Sequence, residues 1–354
     1  MYKKTFVLQR NTIKLLYICN HLNNNQENNK YNIRAQYMIK VNHKVIVSVI
    51  IPNYNHKEYL SQRINSVMEQ TFIDYEVILL DDHSTDNSQE ILSSYQDNPH
   101  ISHIILNPEN SGSPFHQWEK GIKLAKGKYI WIAESDDYAS PLFLEYAVNA
   151  LEAHPKASLC YTGSHIIDGA GEPIKIEGFD KWEEDGLSYV FNSHEYIKSH
   201  LLHHNSIYNA SMVLFKKEGC LSAITSEYKK MHYAGDWLFW IEQCRKGDVI
   251  EVRKKLNYFR KHNTNTTLKG DENGNAIIEI SIIKGFLYKN IQLSWVEKII
   301  DKSSFYRHIK YYPVSKQRRK ELYKIASRQA NITFFSYVIG QRVKSYMKHH
   351  NKNQ

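Results

Sequence analysis

From residue 45 onward, short apolar runs alternate with stretches of helical spacing, which predicts an α/β domain built on a largely parallel sheet. Residues 45–52 are the first predicted strand, and 57–70 follow with Tyr59, Leu60, Ile64, Val67 and Met68 on one side of a helix. The next run, 75–80, has no polar residue between Val77 and Leu80, the mark of a central strand covered on both faces. A helix around 91–95 and a strand at 101–106 come next. Ser113-Pro114 and Ser140-Pro141 each read as a helix start, a capping hydroxyl before a ring already at helical φ, with Gly127 as the stop of the first helix. Strands at 129–133, 158–162 and 212–216 and a helix at 236–246 complete the region, with an irregular stretch from 163 to about 193. Beyond about Ala276 the pattern turns helical and runs into a tail where Tyr306, Tyr311, Tyr312, Phe334, Phe335 and Tyr337 lie among Lys and Arg. Three parts are expected: an Asn-rich leader over 1–40, disordered or upstream of a start at Met38, a main domain over 41–270, and a helical extension over 271–354.

Composition narrows the class. The chain has 354 residues, 42% of them hydrophobic and 23% charged, so a large buried core is available. No run approaches the ~20 apolar residues of a bilayer span. The net charge of +9 is unevenly placed. Residues 1–40 hold seven basic residues against one acid and 297–354 hold fourteen against three, which leaves 41–296 at −8. Cys19, Cys160, Cys220 and Cys244 have no metal-finger or C-x-x-C spacing and read as reduced thiols, and no cleavage site follows the short apolar stretch near Leu15; a cytoplasmic protein is expected.

The chemistry concentrates at strand ends. The run Val77 to Leu80 stops at Asp81-Asp82, and the run Ile130 to Ala133 stops at Glu134-Ser135-Asp136-Asp137. Open α/β sheets bind ligands outside the carboxyl ends of their strands, so the two acidic clusters should face one site. Acids packed so closely repel unless a cation offsets them, and Mg²⁺ or Mn²⁺, which bridge carboxylates to phosphates, suit the task. The phosphate-binding loops G-x-x-x-x-G-K-[ST] and G-x-G-x-x-G are absent, as is the hydrolase elbow G-x-S-x-G.

Three ordered segments carry a resemblance. Val47-Ser48-Val49-Ile50-Ile51-Pro52-Asn53-Tyr54-Asn55, Ser66 to Phe72, and Glu76 to Asp86 look like the opening of family 2 glycosyltransferases. Lys126-Gly127-Lys128-Tyr129-Ile130 leading to Glu134-Ser135-Asp136-Asp137 resembles that family's approach to its D-x-D motif, and Gly235-Asp236-Trp237 resembles the segment of its catalytic base. The likeness covers about residues 45–262. It implies an A-type nucleotide-sugar fold and an inverting, metal-dependent transfer from a nucleotide-diphosphate sugar to a saccharide or lipid-linked acceptor, in cell-surface polysaccharide synthesis.

By the same resemblance Pro52, Tyr54, Asp82 and Glu134 would contact the nucleotide sugar, Asp136 and Asp137 would hold Mn²⁺ or Mg²⁺, and Asp236 would be the base. Arg260 and His262 would face the departing diphosphate; Gln117 and Lys120 either face the donor diphosphate or, the commoner case, lie on the surface, and His203 and His204 read as surface residues. The basic extension suits an anionic membrane face, the inner face of the plasma membrane being the natural one. A non-catalytic nucleotide-sugar-binding protein is the first alternative. A nucleic-acid binder working through the tail is the second, and no nucleic-acid motif supports it.

Overall fold

The first strand of the computed structural model, β1 (Val47–Asn53), is buried along its whole length. It is flanked by β2 (Tyr75–Asp81) and β4 (Tyr129–Ile132), with β3 (Ile101–Leu106) outside β2. The structure describes residues 44–176, 184–218, 220, 228–262 and 273–350. The expected leader lies outside them. Further along the sheet come β8 (Val213–Lys216), β6 (Ala157–Ile167), β9 (Asp248–Arg260) and β5 (Tyr138–Ala139), with β7 (Ser188–Phe191) paired to β9. β1, β2, β3, β4, β6 and β9 run one way; β5, β7 and β8 are reversed. The carboxyl ends of β1, β2, β4, β6 and β9 therefore lie along one edge of the sheet.

The uninterrupted apolar run of β2 is explained by period-two alternation. Val77 and Leu79 join one core with Leu60, Ile64 and Val67 of α1 (Lys57–Met68). Ile78 and Leu80 join the other with Phe115, Trp118 and Ile122 of α3 (Pro114–Leu124), past the short α2 (Ser88–Ser94). Pro52 is tolerated in this central strand because pairing with β4 ends at Ile50. The helix after Pro141 is α4 (Phe143–Ala153), and α5 (Ser193–Tyr196) follows β7. Four strands depart from the expected pattern: β6 extends to Ile167, β7 lies in the stretch expected to be irregular, and β5 and β9 had no signal, the thirteen residues of β9 being hidden by their many charges.

Gly127 is not a helix stop. α3 ends at Leu124, and a Cβ at Gly127 would lie 2.5 Å from the backbone nitrogen of Ser48. The turn is held there by Ser48 Oγ, which accepts from Gly127 N–H (2.8 Å) and donates to Glu76 (2.7 Å). Gly127→Ala is expected to cost roughly 1–3 kcal/mol in urea unfolding, because backbone cannot retreat as a flexible side chain would.

From Ile46 on, the described residues form one compact unit. α6 (Gly235–Cys244) buries Trp237 to Ile241 against the α3 side of the sheet. The last helices are α7 (Asn275–Asn290), α8 (Trp295–Tyr311), α9 (Lys316–Ala330) and α10 (Phe334–His350). Ile283 and Leu287 of α7 enter the same core as α6, so the helical extension is joined to the sheet domain by shared packing. Among the described residues no helix is long and apolar enough to cross a membrane.

Candidate active site

The loop after β4 carries the four-residue acidic cluster, and two buried arginines fix its main chain. Arg63 Nε donates to the Glu134 carbonyl (2.8 Å), and Arg260 Nε donates to the Asp136 carbonyl (2.8 Å). Arg260 also donates to the carbonyls of Asp168 and Gly169 and to Gln62, and its guanidinium stacks over Tyr59. At 2% exposure it is a brace for the acidic loop, which corrects its expected role facing a diphosphate. Arg63 was missed. Its signal was a lone charge among Leu60, Ile64 and Val67 on the apolar face of α1.

The acids divide by partner. Asp137 is buried: Oδ1 accepts from Arg260 N–H (2.9 Å), and Oδ2 accepts from Asn209 (2.8 Å) and Ser211 (2.7 Å). At 1% exposure and enclosed by these protein donors, it belongs to the scaffold rather than to an ion. Burial, aided by the charge of Asp136, pushes its carboxyl up to about 6. Glu134 accepts from Trp118 Nε1 (2.9 Å), and burial with the Asp136 charge raises it to about 8.

Asp136 stands differently. Burial opposes its charge, but the hydrogen bond from His262 and the nearby His56 outweigh that and hold it below the usual carboxylate range. His262 Nε2 lies 3.0 Å from Asp136 Oδ2, and ligand atoms of His56, Asp136 and His262 all fall within 4.8 Å of one another. His56 Nδ1 is meanwhile 2.8 Å from Ser135 Oγ, a partner that orients the ring. One carboxylate and two imidazoles are a fit donor set for a divalent ion. His56 was not found from the sequence because it lies 80 residues before Asp136 and follows no spacing rule.

At the ends of β1 and β2, Asp81 ties the loop together. It accepts from Asn53 (2.9 Å), Ser84 N–H (2.9 Å) and Gln89 (3.0 Å), leaving Tyr54 nearly half exposed. Asp82 Oδ1 accepts from Asn107, Ser111 N–H and Gln117, whereas Oδ2 accepts from Ser111 Oγ alone. Its free acceptor capacity is thus on Oδ2. Gln117 is buried, correcting the surface expectation, and its Oε1 and Asn53 Oδ1 have no hydrogen-bond partner. Both oxygens are enclosed in the protein and are left unpaired there. Lys120 bonds Asn107.

Asp236 occupies the first turn of α6, and Ala234, at the cap position, offers no capping side chain; Glu279 of α7 instead fixes the segment that leads into the helix. Glu279 accepts from the backbone N–H groups of His232 (2.7 Å), Tyr233 (2.9 Å) and Ala234 (2.8 Å). The Asp236 carboxylate accepts from Asn205 Nδ2 (3.0 Å) and Trp237 N–H (2.8 Å). Burial pushes it up to about 6 against those hydrogen bonds. Trp118 connects this wall to the acidic loop, bonding Glu134 while packing edge-on to Phe239 of α6 at 5.4 Å.

Comparison with known proteins identifies the family and the fold. Residues 48–216 match the profile of glycosyl transferase family 2. An uncharacterized glycosyltransferase of Methanocaldococcus jannaschii is 30% identical over 213 residues, 59% of this chain and 69% of that one. TuaG of Bacillus subtilis, a putative teichuronic acid biosynthesis glycosyltransferase, is 31% identical over 133 residues, 38% of this chain; the match spans only about half (52%) of the relative. Residues 1–349 of S. aureus TarS, crystallised with UDP-GlcNAc, superpose with a TM-score of 0.59 at 18% identity, covering 86% of this chain and 92% of that one. That likeness establishes the fold, a glycosyltransferase A-type domain followed by helices. With strand order, acidic loop and sequence all concordant, the chain belongs to glycosyl transferase family 2.

Proposed function

We propose that the chain transfers a sugar, with inversion, from a nucleotide-diphosphate sugar to a hydroxyl of a cell-surface polymer or its lipid-linked precursor. The observation that carries the reading is the Asp236 carboxylate, raised by burial to about 6 and steadied by Asn205. A base whose pKa lies near the working pH accepts a proton without being fully protonated beforehand. Asp236 takes the acceptor's hydroxyl proton, the oxygen bonds to the anomeric carbon, and the bond from that carbon to the diphosphate breaks. A single displacement from the opposite face inverts the centre.

Asp82 Oδ2 would meet the nucleoside, with Tyr54 and Pro52 at its edge. Glu134 would meet a sugar or ribose hydroxyl. Asp136, His262 and His56 would hold the divalent ion, which offsets charge on the leaving diphosphate. Two nitrogens and one oxygen suit Mn²⁺ better than Mg²⁺, which prefers oxygen alone. The donor of the TarS complex and the polymer named for TuaG support UDP-GlcNAc-like donors and an anionic polymer acceptor.

The test is thermal stabilisation by nucleotide sugars with Mn²⁺, followed by donor turnover. A donor at 100 times its Kd should add about 2.7 kcal/mol. The gain should vanish in chelator and fall sharply in Asp136→Asn and His262→Ala. Stabilisation indifferent to metal would remove the ion's role, binding without turnover would leave a non-catalytic binder, and no stabilisation by any nucleotide sugar would refute the reading.

A further inference from the structure

The far end of the helical extension exposes side chains that folding normally covers. Phe334 and Phe335, in the first turn of α10, are 65% and 73% exposed, and Tyr311, at the end of α8, is 67% exposed. They share one neighbourhood. The Phe334 ring lies 6.2 Å from Tyr306, which stacks on Tyr337 at 5.1 Å. Lys310 Nζ is 5.9 Å from the Tyr337 ring and 5.4 Å from that of Tyr311, and Arg307 lies 5.8 Å from Tyr311.

Beside them a surface cavity of about 450 Å³ opens between Ser304, Arg307, His308, Tyr311, Tyr312 and Pro313. Lys344 of α10 reaches its rim, donating to Ser304 Oγ at 2.6 Å. Residues 302–350 contain twelve Lys or Arg and one acid, Glu321, which is paired with Arg318 at 3.0 Å. Thus no carboxylate of this stretch is left to offset Arg307, Lys310 and Lys344.

We propose that this end of α8 and α10 is a docking surface for an anionic lipid bilayer. Phe334, Phe335 and Tyr311 enter the boundary between headgroups and acyl chains, and Arg307, Lys310 and Lys344 take the lipid phosphates around the cavity. Each cation close to such a surface adds about 1 kcal/mol, a free energy that decays within a Debye length. Charge complementarity favours the bilayer: Arg307, Lys310 and Lys344 beside exposed aromatic rings match a phosphate-bearing surface. Docked this way, the enzyme would meet a lipid-linked acceptor in two dimensions.

Co-sedimentation of the full chain with vesicles tests the surface without reading any transfer, so its failure leaves the proposed reaction untouched. Binding is expected to phosphatidylcholine vesicles containing phosphatidylglycerol and not to phosphatidylcholine alone, weakening as salt rises. Phe334→Ser with Phe335→Ser should lower binding at least tenfold, and Arg307→Glu with Lys310→Glu should abolish it. Melting curves unchanged from the parent chain show that both variants fold, and their donor-induced stabilisation should be intact. The proposal is overturned if anionic vesicles do not bind, or if binding survives both charge and aromatic variants. It is also overturned if the phenylalanine variant dissociates a dimer seen by sedimentation velocity, since a second copy would then be the cover.

Discussion

Replacing Asp236 by Asn is expected to lower kcat by about 10²–10⁴-fold while leaving donor KM within about twofold, because the lost group acts on the acceptor's proton and not on the nucleotide. The wild-type rate should fall as pH drops through about 6, where the buried carboxyl takes up its proton. In the Asn variant that acid limb should disappear. Stability moves the opposite way. The folded-state pKa is raised from 3.8, so protonation favours the fold and stability declines as pH rises through about 6. Above about pH 7 the Asn variant should therefore be more stable than the parent by roughly 1–3 kcal/mol in urea unfolding, the discount reflecting partial exposure. Activity lost together with stability would mean that Asp236 is structural, and unchanged kcat would end its assignment as base.

The largest loss of stability is expected from Lys284→Met. Lys284 and Asp301 are each 1% exposed and pair at 2.9 Å between α7 and α8. Asp301 also accepts from Tyr288 OH (2.6 Å) and lies 2.7 Å from Nδ1 of His203, which stays exposed as its sequence setting implied while its ring reaches the buried carboxylate. Lys284 further donates to the Leu202 carbonyl. Removing one member of a buried pair strands the other charge, at about 3–5 kcal/mol. Burial alone would raise the Asp301 carboxyl, but Lys284 outweighs it and holds it low. The stability from that lowering is present above about pH 4 and lost as pH falls through the folded-state pKa. Lys284→Met combined with Asp301→Leu should recover much of the loss, since no charge is then left unpaired; a double variant as weak as the single one would refute the account.

The same pair matters for the site. Lys284 fastens Leu202, Trp237 Nε1 bonds the Leu201 carbonyl (3.0 Å), and three residues on Asn205 reaches Asp236. Glu279 holds the other approach by binding the three N–H groups before α6. Asp236 is thus held in place by helices with no family motif. A positioning role for Asn205 and Glu279 follows from long-range contacts alone.

What could be read in the chain was what local pattern controls. Alternation in β1, β2 and β4 specified a buried sheet, and a run ending abruptly in acids marked its functional edge, because period-two burial and strand termination leave their imprint within a few residues. The motifs from Val47 to Asp86 and around Asp136 were enough for the family. Which acid faces a ligand was beyond that reach: Asp136 and Asp137 are neighbours, yet one meets His56 and His262 while the other is enclosed by Asn209, Ser211 and Arg260. Gln117 and Arg63 carried polar side chains into the interior, and Arg260 turned from the expected ligand contact to a brace, for the same reason. A side chain's burial and partners depend on elements far away in sequence, so the family and the sheet were determined by the sequence itself, and the division of labour among its acids was decided only by the tertiary fold.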